Sequence, residues 1–147
     1  MSQQQESAAL STVEATASAI NNAKEQLTPK QLHLIMAVKA IYIVATMQSP
    51  GGVSVTNRGV QRVLKQELNI KFKLGTFVLN GSTLQKATVG YWASAFVHEG
   101  VHIVHHEWGT PFREHRAYHE QYKASHAFGL TQYETDFVKA QCGDACH

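Results

Sequence analysis

The residues His98-Glu99-Gly100-Val101-His102 combine two imidazoles and a carboxylate at a spacing suited to metal chemistry. On a helix, side chains four residues apart differ in direction by only about 40°, so His98 and His102 can bind one ion. Glu99 lies about 100° round the helix, near enough to reach a metal-bound water without being a ligand. A zinc ion with three protein ligands keeps a position for water and lowers the pKa of that water to about 7. The pattern therefore predicts hydrolysis through a metal-activated water, with Glu99 as the general base.

The sequence around this motif predicts a buried helix rather than a solvated one. Apolar residues surround the motif on nearly all sides of the helix, and they are Trp92, Phe96, Val97, Val101, Ile103 and Val104. Two histidines and a glutamate inside such a helix are costly unless they are paired or bind an ion. The alternative, buried histidines satisfied by hydrogen bonds alone, stays open at this point.

A zinc site with three protein ligands needs one more group, and the helical pattern after Pro111 separates the carboxylates. In a helix over residues 112–128, Glu114 shares a mostly apolar face with Ala117, Tyr118 and Gln121. Glu120 falls on the opposite, charged face and is expected to point at water. The inward carboxylate is the better ligand, so we predict Glu114 as the third. Glu114 is one of seven side chains that the sequence offers as the third ligand: Glu107, Glu114, Glu120, His105, His106, His115 and His119.

His105 lies about 20° from His98 round the helix but two turns further along it. It is therefore expected to line the cleft or to orient a ligand from behind rather than to bind the ion. A third-histidine pattern, H-E-x-x-H-x-x-G-x-x-H, is absent because position 105 is His instead of Gly and position 108 is Trp instead of His. The metzincin class of zinc peptidases is thereby excluded.

The stretch from Phe96 to Gly129 resembles a known family. H-E-G-x-H at 98–102 followed by E-x-x-A-Y-x-x-Q at 114–121 is similar to gluzincin-type zinc metallopeptidases, in particular the compact metallopeptidase domains of bacterial toxins and secreted effectors. The resemblance implies a zincin-like fold and a bound Zn²⁺. It also implies His98, His102 and Glu114 as zinc ligands and Glu99 as the catalytic base.

The leading prediction is a zinc metallopeptidase that acts on a peptide or protein substrate, and an inhibitor or immunity-type protein that keeps it silent is a conceivable partner. Two alternatives remain: a zinc-stabilised binding or toxin module without turnover, and a zinc amidase that acts on a non-protein amide. Four side chains are candidates to stabilise the oxyanion, and none is preferred: Tyr118, His119, His126 and Tyr133.

The elements expected to hold these residues make an α+β, mostly helical, zincin-like fold with a sheet of two to four strands next to the H-E-x-x-H helix. Residues 1–10 are predicted to be a flexible N-terminus and residues 11–147 a single metallohydrolase domain. The patterns predict helices over 11–26, 29–47, 57–67, 87–107, 112–128 and 131–140, and extended segments over 70–74 and 76–79. Cys142 and Cys146 could form a local disulfide, bind a metal or stay free.

Composition narrows the class of protein. A content of 44% apolar and 16% charged residues fits a globular domain. The 13 Lys and Arg are scattered, and with 11 Asp and Glu the formal net charge is only +2, which argues against nucleic acid as a partner. The first residues show no signal peptide, and the longest apolar stretch, residues 32–47, is interrupted by polar residues. We therefore expect no membrane insertion, and a protein that is either cytoplasmic or exported as an effector without a cleavable signal.

Overall fold

The computed structural model describes residues 2–107 and 111–146. Residues 108–110 lie outside the described residues, and with them most of the break expected at residues 109–111 between the predicted helices 87–107 and 112–128. Short 3-10 helices occupy Lys24–Gln26, Leu84–Lys86 and Gly143–Cys146. The α-helices and β-strands, numbered along the chain, are α1 (Gln3–Ala23), α2 (Pro29–Met36), β1 (Ala40–Val44), β2 (Gly52–Ser54), α3 (Arg58–Leu68), β3 (Thr76–Asn80), α4 (Val89–Val104), α5 (Pro111–Ala124) and α6 (Gln132–Cys142).

The three strands form one sheet in the order β1-β3-β2. β1 runs parallel to β3, with Ala40 opposite Thr76, and β2 runs antiparallel to β3, with Ser54 opposite Phe77. Every residue of the central strand β3 is buried, as expected of a strand covered on both faces. The protein is therefore α+β and mostly helical, with a small sheet, as the sequence predicted.

Each face of the sheet carries its own hydrophobic core, because successive side chains of a strand point to opposite faces. Phe77 and Leu79 face a core shared with α1, α2, α4 and α5. Val78 faces the opposite way, into a smaller core that includes Val60 and Leu64 of α3. The helix with the histidine motif, α4, lies in the larger core and contacts α1, α2, α5 and β2.

The first turns of α4 and α6 are joined through one buried carboxylate. Thr88 caps α4 and Thr131 caps α6, each through its own side chain. Glu134 accepts hydrogen bonds from the backbone N–H of Thr88 at 3.1 Å and from that of Thr131 at 3.1 Å. Unpaired N–H groups at two helix starts are thereby satisfied by one side chain, which is 8% exposed. This link fixes where the histidine helix begins.

The predicted helix over 29–47 is wrong in its second half. The helix begins at Pro29 with Thr28 as its cap, as expected, but ends at Met36, and residues 40–44 form strand β1. The residues Ile41, Tyr42, Ile43 and Val44 are β-branched or aromatic and favour a strand once β3 is available as a partner. The spacing of apolar residues along 29–47 describes this segment alone, so it could not show that β3 would pair with it.

The N-terminal helix begins earlier than predicted. α1 starts at Gln3, where Ser2 and Gln5 form a capping box, so most of the segment assigned to a flexible N-terminus is helical. The expected start at Ser11 is wrong because the Gln-rich sequence is a good helix former and has a cap of its own.

The predicted strand over 70–74 is also wrong. Residues 70–73 form neither helix nor strand, although their sides alternate as expected: Phe72 is buried, while Lys71 and Lys73 are exposed. The carbonyl of Phe72 accepts a hydrogen bond from the Gln61 side chain at 2.6 Å instead of joining a ladder. The alternation of buried and exposed side chains is as predicted, but in the part of the chain that the structure describes no strand pairs with residues 70–73.

The remaining elements follow the predictions closely. α3, β3, α4 and α6 lie within a few residues of their expected bounds, and α5 ends at Ala124, before the expected Phe128. Cys142 and Cys146 form a disulfide, which settles the three alternatives left open for them. The disulfide joins the end of α6 to the 3-10 helix Gly143–Cys146, which packs on α5 beside the ring of His115.

Candidate metal centre

The two motif histidines lie on the buried side of α4 and face each other. His98 is 7% exposed and His102 is 5% exposed, and their ring centroids are 4.9 Å apart. The Nε2 atoms of the two rings are separated by 3.2 Å. One helical turn therefore directs two imidazole nitrogens to one point, as the i, i+4 spacing predicted.

The carboxylate of Glu114 reaches the same point from α5. Its Oε1 lies 2.6 Å from Nε2 of His102, and its Oε2 lies 3.4 Å from Nε2 of His98. Among the described residues, these three side chains form a group whose ligand atoms all lie within 4.8 Å of one another. The structure thus brings together the three residues that the sequence proposed as ligands.

The outer nitrogen of His98 is held by a buried glutamine. Nδ1 of His98 lies 3.0 Å from Oε1 of Gln121, which is only 1% exposed. Nε2 of Gln121 donates in turn to the hydroxyl of Ser94 at 3.0 Å. Because the amide uses its N–H on Ser94, its oxygen is left to accept from Nδ1–H of His98.

The outer nitrogen of His102 is held by a buried carboxylate. Nδ1 of His102 lies 3.1 Å from Oε1 of Glu107, and Oε2 of Glu107 accepts from Nη2 of Arg116 at 2.6 Å. A carboxylate accepts only, so Nδ1 of His102 carries the proton. Glu107, one of the third-ligand candidates, therefore contacts His102 on the side of the ring away from Glu114.

These contacts test whether the group fits a zinc ion. Each ring directs Nδ1 to a buried acceptor, so Nε2 is the atom of each ring that is left to bind an ion, and both Nε2 atoms lie beside the carboxylate of Glu114. Two nitrogens and one oxygen are a donor set that zinc binds in catalytic sites. Hydrogen bonds from Nδ1 to buried acceptors are the usual means of fixing such ligands. The residues fit zinc.

The electrostatics of the group favour the ionised carboxylate. Burial by itself would raise the pKa of Glu114, but its hydrogen bonds to His102 and His98 outweigh burial and hold that pKa well below the usual range. Burial would lower the pKa of His102, but the contacts with Glu114 and the charge of Glu99 raise it on balance. A negatively charged oxygen is thus available beside the two nitrogens at neutral pH.

Glu99 occupies a different position from the three converging residues. Its side chain is half-buried, lines the cleft, and accepts a hydrogen bond at Oε2 from the hydroxyl of Ser54 in β2. Its carboxylate is not part of the three-residue group. The carboxylate of Glu99 is therefore separate from His98, His102 and Glu114 and is hydrogen-bonded to the sheet through Ser54.

A cleft of about 1050 Å³ opens over these groups. The residues of β2 line this cleft, together with aromatic residues from three helices: Tyr91, Tyr118, Tyr133 and Phe137. The ring of Tyr118 lies 4.5 Å from the ring of His98. Burial raises the pKa of Tyr118, and the neighbouring Tyr91 and Glu114 raise it further, so its hydroxyl stays protonated.

Two predictions about neighbouring side chains are wrong. Glu120 was expected to face water but is 6% exposed, because Lys30 of α2 reaches it at 3.0 Å and Lys123 at 2.9 Å. His105 was expected to line the cleft or support a ligand, but it is exposed and does not line the cleft. His105 is the C-cap residue of α4, two turns beyond His98 and past the last residue of the helix.

The structure also places the proposed oxyanion donors and the remaining candidates for the third ligand. Of the four proposed oxyanion donors, Tyr118 and Tyr133 line the cleft, whereas His119 and His126 do not. The remaining third-ligand candidates, His106, His115 and His119, are not part of the three-residue group.

Sequence reasoning missed the supporting roles of Gln121, Glu107 and Ser54. A signal existed for Gln121, since an amide on a mostly apolar helix face has to find a buried partner. No local pattern connects Ser54 with Glu99, because 45 residues separate them.

Comparison of the chain with protein-family models, with curated proteins and with solved structures finds no match. Among the described residues, no helix is both long and apolar enough to cross a membrane.

Proposed function

We propose that the protein is a zinc-dependent metallopeptidase with a zincin-like arrangement of its site. The observation that carries this proposal is the convergence of His98, His102 and Glu114, with the separate carboxylate of Glu99 beside them. When bound, zinc would lower the pKa of water and polarise a substrate carbonyl. Gln121 and Glu107 would keep the two imidazoles in the tautomer that leaves Nε2 free.

Glu99 is the group that moves the proton. As general base it takes a proton from the attacking water, and it then returns the proton to the leaving amine. The hydrogen bond from Ser54 restricts the carboxylate of Glu99 to the cleft side of α4. Tyr118, which stays protonated and whose ring lies 4.5 Å from the ring of His98, is the donor that would stabilise the oxyanion.

The substrate is proposed to bind as an extended peptide along β2. This strand is at an edge of the sheet, and it lines the cleft beside Glu99. An exposed strand edge holds an extended chain through backbone hydrogen bonds. A peptide placed along β2 would present its backbone carbonyls toward the site, so a protein or peptide substrate is favoured over a compact molecule. A role as a bacterial toxin or effector rests on the motif resemblance alone.

The deciding variant is Glu99→Gln, tested beside Glu14→Gln on the exposed side of α1 as the matched control. Zinc content and circular dichroism should be unchanged in both variants. Cleavage of a library of internally quenched peptides should fall about 10²–10⁴-fold in Glu99→Gln, the usual contribution of a general base, and stay normal in the control. Full activity of Glu99→Gln would refute the mechanism.

A second candidate is a binding module in which zinc is only structural. It is favoured by the position of the three ligands, since an ion there would tie α4 to α5. In that case, the wild-type protein with one zinc would cleave no peptide in the library, and zinc removal would lower its unfolding temperature sharply. Cleavage of a non-protein amide in place of peptides would support the amidase alternative instead.

A further inference from the structure

The half of the chain that contains the sheet is strongly basic, although the whole protein is almost neutral. Between residues 27 and 98 there is one acidic residue, Glu67. The same range has eight basic residues, which gives this part a formal charge of +7 against +2 for the whole chain. They are Lys30, Lys39, Arg58, Arg62, Lys65, Lys71, Lys73 and Lys86.

Part of this charge surrounds the edge of the sheet that lies away from the cleft. In the described part of the chain, β1 is paired with β3 alone, and its first three residues are exposed. Ile41 is 37% and Tyr42 is 44% exposed, and Leu74 nearby is 47% exposed. Large apolar side chains on an open strand edge are a recognised site for pairing with another chain.

Three lysines lie next to these apolar residues in sequence or next to Phe72, which contacts Tyr42. Lys39 directly precedes β1, and its backbone N–H donates to the carbonyl of Gly75, next to Leu74. Lys71 and Lys73 flank Phe72, whose ring lies 5.0 Å from the ring of Tyr42. All three lysines are exposed. The β1 edge patch is defined as Lys39, Ile41, Tyr42, Lys71, Lys73 and Leu74.

The backbone of β1 has hydrogen-bonding groups on its outer side. The carbonyl of Val44 accepts from the N–H of Gly81, at the end of the parallel ladder with β3. Alternate residues of a strand turn their backbone groups to the same side, so Ala40 and Tyr42 also face β3. The N–H and C=O groups of Ile41 and Ile43 therefore point outward.

We infer that the β1 edge patch binds an acidic, extended segment of a partner protein, which adds to the sheet as a fourth strand. Such a segment would satisfy the outer groups of Ile41 and Ile43, cover Ile41 and Tyr42, and place carboxylates against the three lysines. A second copy of this chain would bring lysines against lysines, which opposes self-pairing. A phosphate backbone would use the lysines but leave Ile41 and the ladder groups uncovered. Because β1 and β2 are opposite edges of the sheet, the cleft stays open.

The probe for this inference is a synthetic peptide of about eight residues that alternates Glu and Val, a length typical of strands. Binding should shift the backbone amide NMR signals of Ile41 and Ile43 and slow their hydrogen exchange. The matched control peptide alternates Lys and Val and should not bind. Absence of binding by the Glu-Val peptide would overturn the inference, as would equal binding of the two peptides.

Two variants locate the binding on the patch. The double change Lys71→Glu and Lys73→Glu should weaken binding of the Glu-Val peptide about tenfold or more, because attraction becomes repulsion. The matched control is Arg58→Glu with Arg62→Glu on α3, which alters the net charge equally and should have a smaller effect. Ile41→Pro removes an outward N–H and should also weaken binding. Equal loss in the α3 control would indicate general charge attraction and refute strand addition.

Other occupants give different results in the same assays. A single-stranded RNA or phosphatidylserine vesicles that compete with the peptide and bind more tightly would overturn the assignment to a protein segment. Sedimentation of the protein alone tests self-association. A dimer that is abolished by Ile41→Pro would overturn the inference in favour of pairing between two copies of this chain. Neither outcome depends on zinc or on the proposed peptidase activity.

Discussion

The carbonyl oxygen of Leu34 in α2 lies where a side chain on Gly100 in α4 would begin. The two helix backbones therefore touch directly behind the histidine motif, between Glu99 and Val101. A glycine inside a helix costs about 1 kcal/mol relative to alanine, and here the close passage of another helix requires it.

Gly100→Ala should destabilise the fold, although alanine favours helices. The added methyl group would overlap backbone atoms of Leu34, which cannot rotate away. We expect a loss of about 1–3 kcal/mol in the free energy of unfolding, measured by urea denaturation. Ser18→Ala on the exposed side of α1 is the control and should be neutral. An unchanged or greater stability of Gly100→Ala would mean that α2 does not pack on α4 in this way.

The zinc content of two variants should show which glutamate of α5 binds the ion. Glu114→Ala should lose the ion, because it removes one of three converging ligands. Glu120→Ala should keep it, because Glu120 is bound to Lys30 and Lys123 away from the site. Elemental analysis of the purified proteins after incubation with zinc measures both. Loss of zinc in Glu120→Ala with retention in Glu114→Ala would overturn the ligand assignment.

Gln121→Leu should weaken zinc binding without removing a ligand. The variant leaves Nδ1 of His98 without its acceptor, so the ring is no longer fixed in the tautomer that frees Nε2. Loss of such a supporting contact typically lowers metal affinity about 10–100-fold. Competition with a fluorescent chelator gives the affinity, and Gln132→Leu on the exposed start of α6 is the control. Identical affinities in the two variants would argue against a supporting role.

Glu134→Gln should reveal a pH-dependent part of the stability. Burial would raise the pKa of Glu134, but hydrogen bonds from Thr88 and Thr131 outweigh it and lower that pKa below its ordinary value of 4.5. A carboxyl whose pKa is lower in the folded state stabilises the fold above the unfolded-state pKa. That stabilisation is lost as the pH falls through the folded-state pKa.

The wild-type protein should therefore exceed Glu134→Gln by about 1–3 kcal/mol in the free energy of unfolding near neutral pH. The difference should shrink as the pH is lowered below 4.5, since the wild-type carboxyl then becomes protonated. Urea denaturation over a series of pH values measures it. A difference that grows toward acid pH would contradict the caps seen at Thr88 and Thr131.

The candidate site was largely predictable because its chemistry is local in sequence. His98, Glu99 and His102 occupy one and a half turns of a helix whose neighbours are apolar, and spacing alone brings the imidazoles together. Glu114 followed from the apolar face that it shares with Ala117. The starts of α2, α3 and α6 agree with the predicted bounds to within one residue, and each is preceded by a capping side chain, at Thr28, Asn57 and Thr131.

The errors arise where distant parts of the chain decide the outcome. Residues 40–44 continue the helical spacing of apolar side chains that begins in α2. They form a strand because they pair with β3, where the partner of Ala40 is Thr76, 36 residues further along the chain. Glu120 is covered by Lys30, 90 residues earlier, which a helical wheel of α5 cannot show. Residues 70–73 alternate between buried and exposed side chains as a strand does, but within residues 2–107 and 111–146 they pair with no strand.

The carboxylate of Glu134, which joins the starts of α4 and α6, also bears on the order in which the protein matures during synthesis. α4 leaves the ribosome before α5 and α6, so its histidines emerge before Glu114 and before the anchor of its own first turn. A nascent chain that ends before Gln132 thus carries the motif without this anchor. We expect the site to become rigid only late in translation.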